Sequence, residues 1–581
     1  MLHEYDRRAF IILLALTSAC ARPQPPEGPA ATEPRFPAGW SLASRTRPVE
    51  VPRAIVASVH PRASEVGAAV LRRGGNAVDA AVAVGFALAV VHPSAGNLGG
   101  GGFMVVRFAD GTTHALDFRE TAPDRATRDM YLDSAGQLTD RSVLGHLAAG
   151  VPGSVAGLAE AQRRFGRLPL TEVMAPAVRL AREGVALDDD HSRSLASAAH
   201  RLRRFDASRA QFLMPSGQAP PPGTLFTQPD LARTLAAIAD SGPAAFYEGY
   251  IADLIVAEME RGGGLISEED LARYRPIWRE PVVIRYRGHT VYSMPPSSSG
   301  GVTMGEILNI LEGFDPLPRF GSARQIHLLA EAMRRAFTDR NHFLGDPAFV
   351  DMPIDLLLSK TYAAEQRRSI DPERASRSQV LVPGRAEAEQ TTHYSVVDAD
   401  GNAVSVTTTL NGGYGSGVTV AGAGFLLNNE MDDFAAAPGQ PNMYGLVQGD
   451  ANAIQPGKRM LSAMTPSIVL DPAGRLFMVV GTPGGPTIIT TVTQVISNVI
   501  DHGMDLATAI AAPRIHHQAL PDRIDYENRG LAPEVVAELE RMGHSVRERR
   551  GHSGEVAGIM RTGAGWIAVA DPRSGGWSVG Y

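Results

Sequence analysis

Between Val78 and Val91 the chain runs almost without polar positions (VDAAVAVGFALAVV) and stops at His92-Pro93. The stretch is too short to span a bilayer and too long for an ordinary strand, so it predicts a buried helix. A glycine run, Gly99 to Gly102, follows, and then two segments with strand-like patterning, Phe103 to Phe108 and Thr112 to Phe118. From about Ser154 to Arg273 the apolar positions recur at helical spacing. After residue 390 the pattern turns strongly β. Tyr394 to Asp398 and Ala403 to Thr409 alternate about the turn Asp400-Gly401, which predicts a hairpin with Thr391 at its opening. A second hairpin is predicted over Ser467 to Gly481, around Asp471-Pro472-Ala473-Gly474. It runs into the turn Gly481-Thr482-Pro483-Gly484-Gly485 and then into a helix over Thr487 to Asp501. No internal repeat is visible.

Two stretches lack such patterning. Residues 21 to 50 are rich in proline and alanine and read as a tether, with the folded body expected from Val51. Asp371 to Gln390 (DPERASRSQVLVPGRAEAEQ) is charged and rich in turn formers, the kind of exposed segment in which a chain can be cut. The start has the layout of an export signal: Arg7 and Arg8, the apolar run Ala9 to Leu16, then Thr17-Ser18-Ala19-Cys20. Small residues before a cysteine resemble a bacterial lipoprotein box. Thr17 departs from it, standing where such boxes carry a leucine-like residue. Residues 1–20 are therefore assigned to export toward a bacterial periplasm, with Cys20 as a candidate lipid-bearing membrane tether; an ordinary cleaved signal is the alternative.

Composition narrows the function classes. With 44% hydrophobic and 20% charged residues the chain is globular rather than disordered. Its formal charge of -7, with no dense basic run interleaved with aromatics, argues against a nucleic-acid partner. Cys20 is the single cysteine, which excludes an intramolecular disulfide, a cysteine-based zinc site and a cysteine nucleophile in the body of the protein. No His-Glu-x-x-His motif occurs, and His516-His517, side by side, cannot share one helix face; a structural role fits them better. No metal or organic cofactor is expected. Gly576-Trp577-Ser578-Val579-Gly580 fits the pattern of a serine nucleophile elbow, but that elbow needs a following helix and only Tyr581 remains.

A threonine that opens a strand is ordinary, because β-branched residues favour strands. Its surroundings are not. Gln390-Thr391-Thr392-His393-Tyr394-Ser395-Val396-Val397-Asp398 closely resembles the processing site of the γ-glutamyltransferases. The resemblance continues through Asn411, Leu426-Leu427-Asn428-Asn429-Glu430-Met431-Asp432-Asp433-Phe434, Tyr444-Gly445-Leu446 and Gly449-Asp450-Ala451-Asn452. It runs on through Leu461-Ser462, Thr482-Pro483-Gly484-Gly485, Ala512-Pro513-Arg514 and Asp571-Pro572-Arg573-Ser574. Upstream it includes Asn97 to Phe103, Asp117-Phe118-Arg119-Glu120, Met294-Pro295-Pro296 and Gly300-Gly301. The match keeps the family's order from about residue 50 to 581.

The resemblance implies a four-layer αββα sandwich of the N-terminal-nucleophile hydrolase type. It also implies a self-inflicted cut between Gln390 and Thr391, giving a large subunit (51–390) and a small one (391–581) that pair as a heterodimer. The chemistry has a physical rationale. A threonine hydroxyl is a poor nucleophile at neutral pH, and a free α-amine on the same residue, with a pKa of about 7.7 to 8, can serve as its base. That amine exists only after the cut. By resemblance, Thr409 orients the Thr391 hydroxyl, Gly484 and Gly485 offer backbone N–H groups to the oxyanion, and Tyr444 closes a lid segment, Pro438 to Asp450, toward Asn411. Arg119 and Ser462 suit the substrate α-carboxylate, and Asn411, Glu430 and Asp433 the α-ammonium. One departure is Ala463, where the family has a second serine, so one hydroxyl is lost at the carboxylate end. The implied reaction passes a γ-glutamyl group from glutathione or a similar amide to water or to an amino acid or dipeptide. A cephalosporin or glutaryl acylase of the same fold is the alternative enzyme, and a catalytically inactive tethered binding protein the alternative class.

Overall fold

The computed structural model describes residues 36–378 and 391–581. The export assignment to residues 1–20 with Cys20, the first part of the tether (21–35), and residues 379–390 with Gln390 lie outside the described residues.

The folded body starts before Val51. Trp40 donates its indole N–H to the Ala511 carbonyl at 2.8 Å, and the rings of Phe36 and Phe320 meet edge to face at 5.9 Å. The Pro/Ala-rich composition of 21–50 hides these two aromatic anchors, and aromatic burial fixes a segment that has no periodic pattern of its own.

Fourteen strands make two seven-stranded sheets among the described residues. Before residue 390 lie β1 (Val49–Val51), β2 (Ile55–Ser58), β3 (Gly101–Arg107), β4 (Thr113–Phe118), β5 (Ile277–Arg279), β6 (Val282–Tyr286) and β7 (His289–Ser293). After it lie β8 (Thr392–Val397), β9 (Ala403–Thr409), β10 (Ser467–Leu470), β11 (Leu476–Val480), β12 (Ala557–Arg561), β13 (Trp566–Ala570) and β14 (Trp577–Gly580). One sheet has the order β1-β13-β12-β11-β10-β7-β6, the other β14-β2-β8-β9-β3-β4-β5. Each sheet therefore draws strands from both sides of the predicted cut.

Strands such as β2 and β3 are apolar on both faces because both faces are covered. In β2, Ile55 and Ala57 join the core shared with the other sheet, while Val56 joins the core under the helices. In β3, Phe103 and Val105 take the first side and Met104 and Val106 the second. Helices α1 (Pro61–Arg72), α2 (Ala77–Val91) and α3 (Ser154–Phe165) cover the β14-to-β5 sheet. Helix α4 (Gly300–Glu312) covers the other sheet, with α5 (Ala323–Phe343) and α6 (Thr487–Ile500) packed in the same core. The result is the four-layer αββα sandwich. The apolar run predicted as a helix is α2, every residue of it buried. Its one charge, Asp79, is capped by the Asn76 amide and accepts from Gln162 Nε2 at 2.6 Å, which is how a carboxylate survives there. No helix among the described residues is long and apolar enough to cross a membrane.

The α4–α5 packing contains a second buried acid. Glu306 on α4 is 1% exposed, faces Asp339 on α5, and leaves its Oε1 without a hydrogen-bond partner among the described residues. Burial, then the Asp339 charge, push the Glu306 carboxyl well above its ordinary value of 4.5. The folded protein thus keeps a proton that the unfolded chain releases above pH 4.5, so this group costs stability as pH rises from there. Glu306→Gln should raise the thermal midpoint by roughly 2 °C or more at pH 8 and change it little at pH 4.5. Differential scanning calorimetry at both pH values checks this, and an equal shift at both would contradict it.

Candidate active site

Thr391 immediately precedes β8, and the register that pairs Thr392 with Thr408 sets it beside Thr409, the last residue of β9. Both side chains are buried. Thr391 Oγ1 donates toward Thr409 Oγ1 at 3.4 Å, and that oxygen also accepts from the Asn411 amide at 2.7 Å. The end of β9 is pinned by Asn97, whose Nδ2 donates to the Thr409 carbonyl at 2.9 Å and whose Oδ1 accepts from Gly100 N at 3.0 Å. A side chain at Gly100 would sit 2.1 Å from the same carbonyl. The glycine run before β3 is therefore a close-approach requirement rather than a flexible loop.

Gly484 and Gly485 connect β11 to α6 with φ of 134° and 51°, values that only glycine adopts without strain. The carbonyl of Gly484 accepts from Thr487 N and Thr487 Oγ1, at 3.0 and 2.7 Å. Neither glycine amide makes a hydrogen bond among the described residues. Two backbone donors at the start of a helix are thus available to an anion. Gly485 lines a cavity of about 20 Å³ together with Thr391, Thr409, Asn411, Tyr444, Ser462 and Ala463. That space suits a single water rather than an organic head group. Tyr444 closes it, its hydroxyl donating to the Asn411 carbonyl at 2.9 Å, and Asn411 itself sits at φ 72° with its side-chain amide on the Asn429 carbonyl.

The charged wall of the cavity is Arg119, Glu430, Asp433 and Arg340. Arg119 is fully buried and ion-paired with Asp433 and, at 2.5 Å, with Glu430; Glu120 lies 3.5 Å away. Burial works against the Arg119 charge, but Glu430 and Asp433 more than offset it, so the guanidinium is held above its ordinary range. Burial pushes Glu120 up to about 8 despite Arg119, while Glu430, in contact with the guanidinium, is an acid that pairs with it. Among the described residues, Glu120 Oε1 and Glu430 Oε1 are buried without hydrogen-bond partners. Ser462 Oγ accepts from Met464 N at 3.1 Å, and the Ser462 carbonyl accepts from Ser299.

Thr391, Thr409, Asn411, Glu430, Asp433, Tyr444, Ser462, Arg119 and Gly485 all line this one cavity, with Gly484 adjacent in the chain. By resemblance Arg119 and the two acids serve opposite ends of a head group; the fold also pairs them directly, which offsets the cost of burying them. Sequence reading missed Arg340. Met333, Ala336, Phe337 and Arg340 share one helical face of α5, and an arginine at the apolar spacing was the signal available. His516 and His517 lie outside the cavity lining, His516 bonding to Thr490 and Gln518. Two clusters with metal-ligating side chains, His60/Asp188/His191 and His327/Glu331/His544, also lie away from it. In the second, His327 is already bonded through both ring nitrogens, to His544 Nε2 and the Asp371 carbonyl, each at 2.8 Å.

The family described as gamma-glutamyltranspeptidase matches residues 63–581. The glutathione hydrolase proenzyme of Escherichia coli (strain K12) is 46% identical over 565 residues, which cover 96% of this chain and 95% of that protein. The acylase ACY 1 proenzyme of Pseudomonas sp. (strain SE83) is 40% identical over 509 residues, 86% of this chain and 88% of that one. Among solved structures, the cephalosporin acylase from Bacillus halodurans matches with a TM-score of 0.81 at 29% identity, over 96% of this chain and 99% of that one. With the sandwich, the strand-opening threonine and a match over nearly the whole chain, this protein belongs to the γ-glutamyltranspeptidase family.

Proposed function

We propose that this protein is a self-processing γ-glutamyltransferase that takes the γ-glutamyl group of glutathione, or of another γ-glutamyl amide, onto Thr391 and passes it to water or to an amino acid or dipeptide. One observation carries the reading: a single cavity joins Thr391 to Arg119 and to Glu430 and Asp433, the acids paired with it, groups of both signs that complement a zwitterionic head group.

Processing comes first. Thr391 Oγ attacks the Gln390 carbonyl carbon, the peptide C–N bond breaks, and an ester links Gln390 to the Thr391 oxygen. Water opens the ester, leaving a Gln390 carboxylate and a free Thr391 amine. In turnover that amine takes the proton from Oγ as the oxygen attacks the substrate γ-carbonyl. The developing oxyanion meets the amides of Gly484 and Gly485, the proton passes to the leaving amine, and a γ-glutamyl ester remains on Thr391. Water or an acceptor amine then repeats the addition and regenerates the hydroxyl. Thr409, through its hydroxyl, positions the nucleophile.

Binding is a partner exchange. The α-carboxylate takes the Arg119 fork and Ser462, while the α-ammonium takes Glu430 and Asp433, with Asn411 beside them. Because the cavity is about 20 Å³, the segment carrying Tyr444 has to swing aside for a glutamyl group to enter. The acylase reading asks for a head group without the ammonium, which would leave Glu430 and Asp433 buried against a second acid. An inactive binding protein, the reading that Ala463 invites, has no use for Thr391, Thr409 and two uncommitted glycine amides together. Export through residues 1–20, with or without lipid on Cys20, belongs to the proposal.

Rates with γ-glutamyl-p-nitroanilide and glutaryl-p-nitroanilide test the assignment, and a preference for the glutaryl compound would contradict it. Thr391→Ala should stay one uncut chain with no turnover. Thr391→Ser should still be cut, more slowly, since the hydroxyl stays while the methyl that limits its rotamers goes. A denaturing gel with the anilide assay reads both, and an active, uncut Thr391→Ala would contradict the mechanism. Arg119→Lys should raise KM for the γ-glutamyl anilide by roughly tenfold or more, as a point charge replaces a planar fork. A wild-type KM would remove Arg119 from the carboxylate end.

A further inference from the structure

Two arginines face the cavity that holds Thr391, and only one of them is neutralised. Arg119 is paired with Glu430 and Asp433 and has Glu120 behind it. Arg340 is 1% exposed, yet among the described residues no carboxylate lies within ion-pair distance of it. Its guanidinium donates to neutral oxygens: Ser299 Oγ at 2.9 Å, Asn341 Oδ1 at 2.9 Å and Gln448 Oε1 at 3.3 Å. Burial pulls it down to about 10, with only the more distant Asp433 acting the other way. A buried cation without a counter-ion is costly, and packing alone gives no reason to keep one.

Its hydrogen bonds fix it between two walls of the pocket. Ser299 Oγ, which accepts from Arg340, itself donates to the Ser462 carbonyl at 2.6 Å. Gln448, the other partner, donates through Nε2 to the Asp433 carbonyl at 3.0 Å. Arg340 therefore stands where the Ser462-Ala463 segment meets the Asp433 segment. Ala463 offers no side-chain donor at that end.

We propose that Arg340 is a specificity-determining residue that recognises the α-carboxylate of the γ-glutamyl donor, supplying the uncompensated positive charge that Arg119, ringed by acids, lacks. The proposal rests on the γ-glutamyltransferase reading. In this arrangement the substrate zwitterion enters without changing the net charge of the site, its two ends each meeting groups of opposite sign. Its carboxylate is shared by Arg119 and Arg340, and its ammonium takes over Glu430 and Asp433. The Arg340 charge, unlike that of Arg119, needs no protein carboxylate to be released first.

The test uses the mature enzyme and two donors, L-γ-glutamyl-p-nitroanilide and its α-carboxamide analogue, which differ only in that carboxylate. No turnover of the acid by the wild type overturns the transferase reading and this proposal with it. A wild type that turns over both equally overturns this proposal alone. The expected wild type prefers the acid by about tenfold or more in kcat/KM. Arg340→Gln should lower kcat/KM for the acid by about tenfold or more and for the amide by less than about threefold, so that the preference collapses. An equal loss on both donors is what a merely structural role gives, and it overturns the proposal. Arg340→Lys keeps the charge without the fork and should retain part of the preference. If Arg340→Gln does not yield a folded, cut protein, Arg340→Lys decides, and an unchanged acid-to-amide ratio in it overturns the proposal.

Discussion

β8 is hydrogen-bonded on one side to β2 and on the other to β9, so the residue before it, Thr391, is held by strands from both sides of the predicted cut. Every later feature depends on this interleaving. β9 continues it by pairing with β3, and β14, from the end of the chain, closes the other edge on β2. The opposite sheet repeats the mixture, with β1 on β13 and β7 on β10. Breaking one peptide bond at residue 390 removes none of these ladders. The cut can therefore free an amine inside the core of the protein without costing the fold its cooperativity.

The same interleaving assembles the charges. Arg119 follows β4 from one side of the cut, Glu430 and Asp433 come from the other, and they meet in a region where none of them could remain alone. The ion pairs tie the two parts together. A site with two arginines, two cavity-lining acids and a third acid behind them is well suited to a zwitterion and poorly suited to a simple acid or a neutral amide.

Much of the local structure was legible in the sequence. The hairpin about Asp400-Gly401 alternates cleanly and forms as β8 and β9, and the apolar run ending at His92 is α2. The neighbours of those elements were not legible, because β8 pairs with β2 across more than three hundred intervening residues and no local pattern encodes that choice. The start of the body was placed too late because Phe36 and Trp40 act as single anchors in a proline-rich stretch. The residues of the site came through the family's motifs rather than through pattern, since a strand threonine or a turn glycine carries no mark of chemistry. Arg340 escaped both routes. It belongs to no motif singled out, and a charged residue within Thr338-Asp339-Arg340-Asn341 reads as helix surface unless its place on the apolar face is counted.

In the proposed mechanism the nucleophile is the N-terminal residue of a second chain that never leaves the first. Intact-mass spectrometry with Edman sequencing of purified, active protein, under denaturing and then native conditions, tests it directly. The expected result is two denatured chains, the smaller one spanning residues 391–581 with a free N-terminal threonine, and one native species containing both. An active protein that is a single uncut chain, or a small chain starting at any residue other than Thr391, would contradict it.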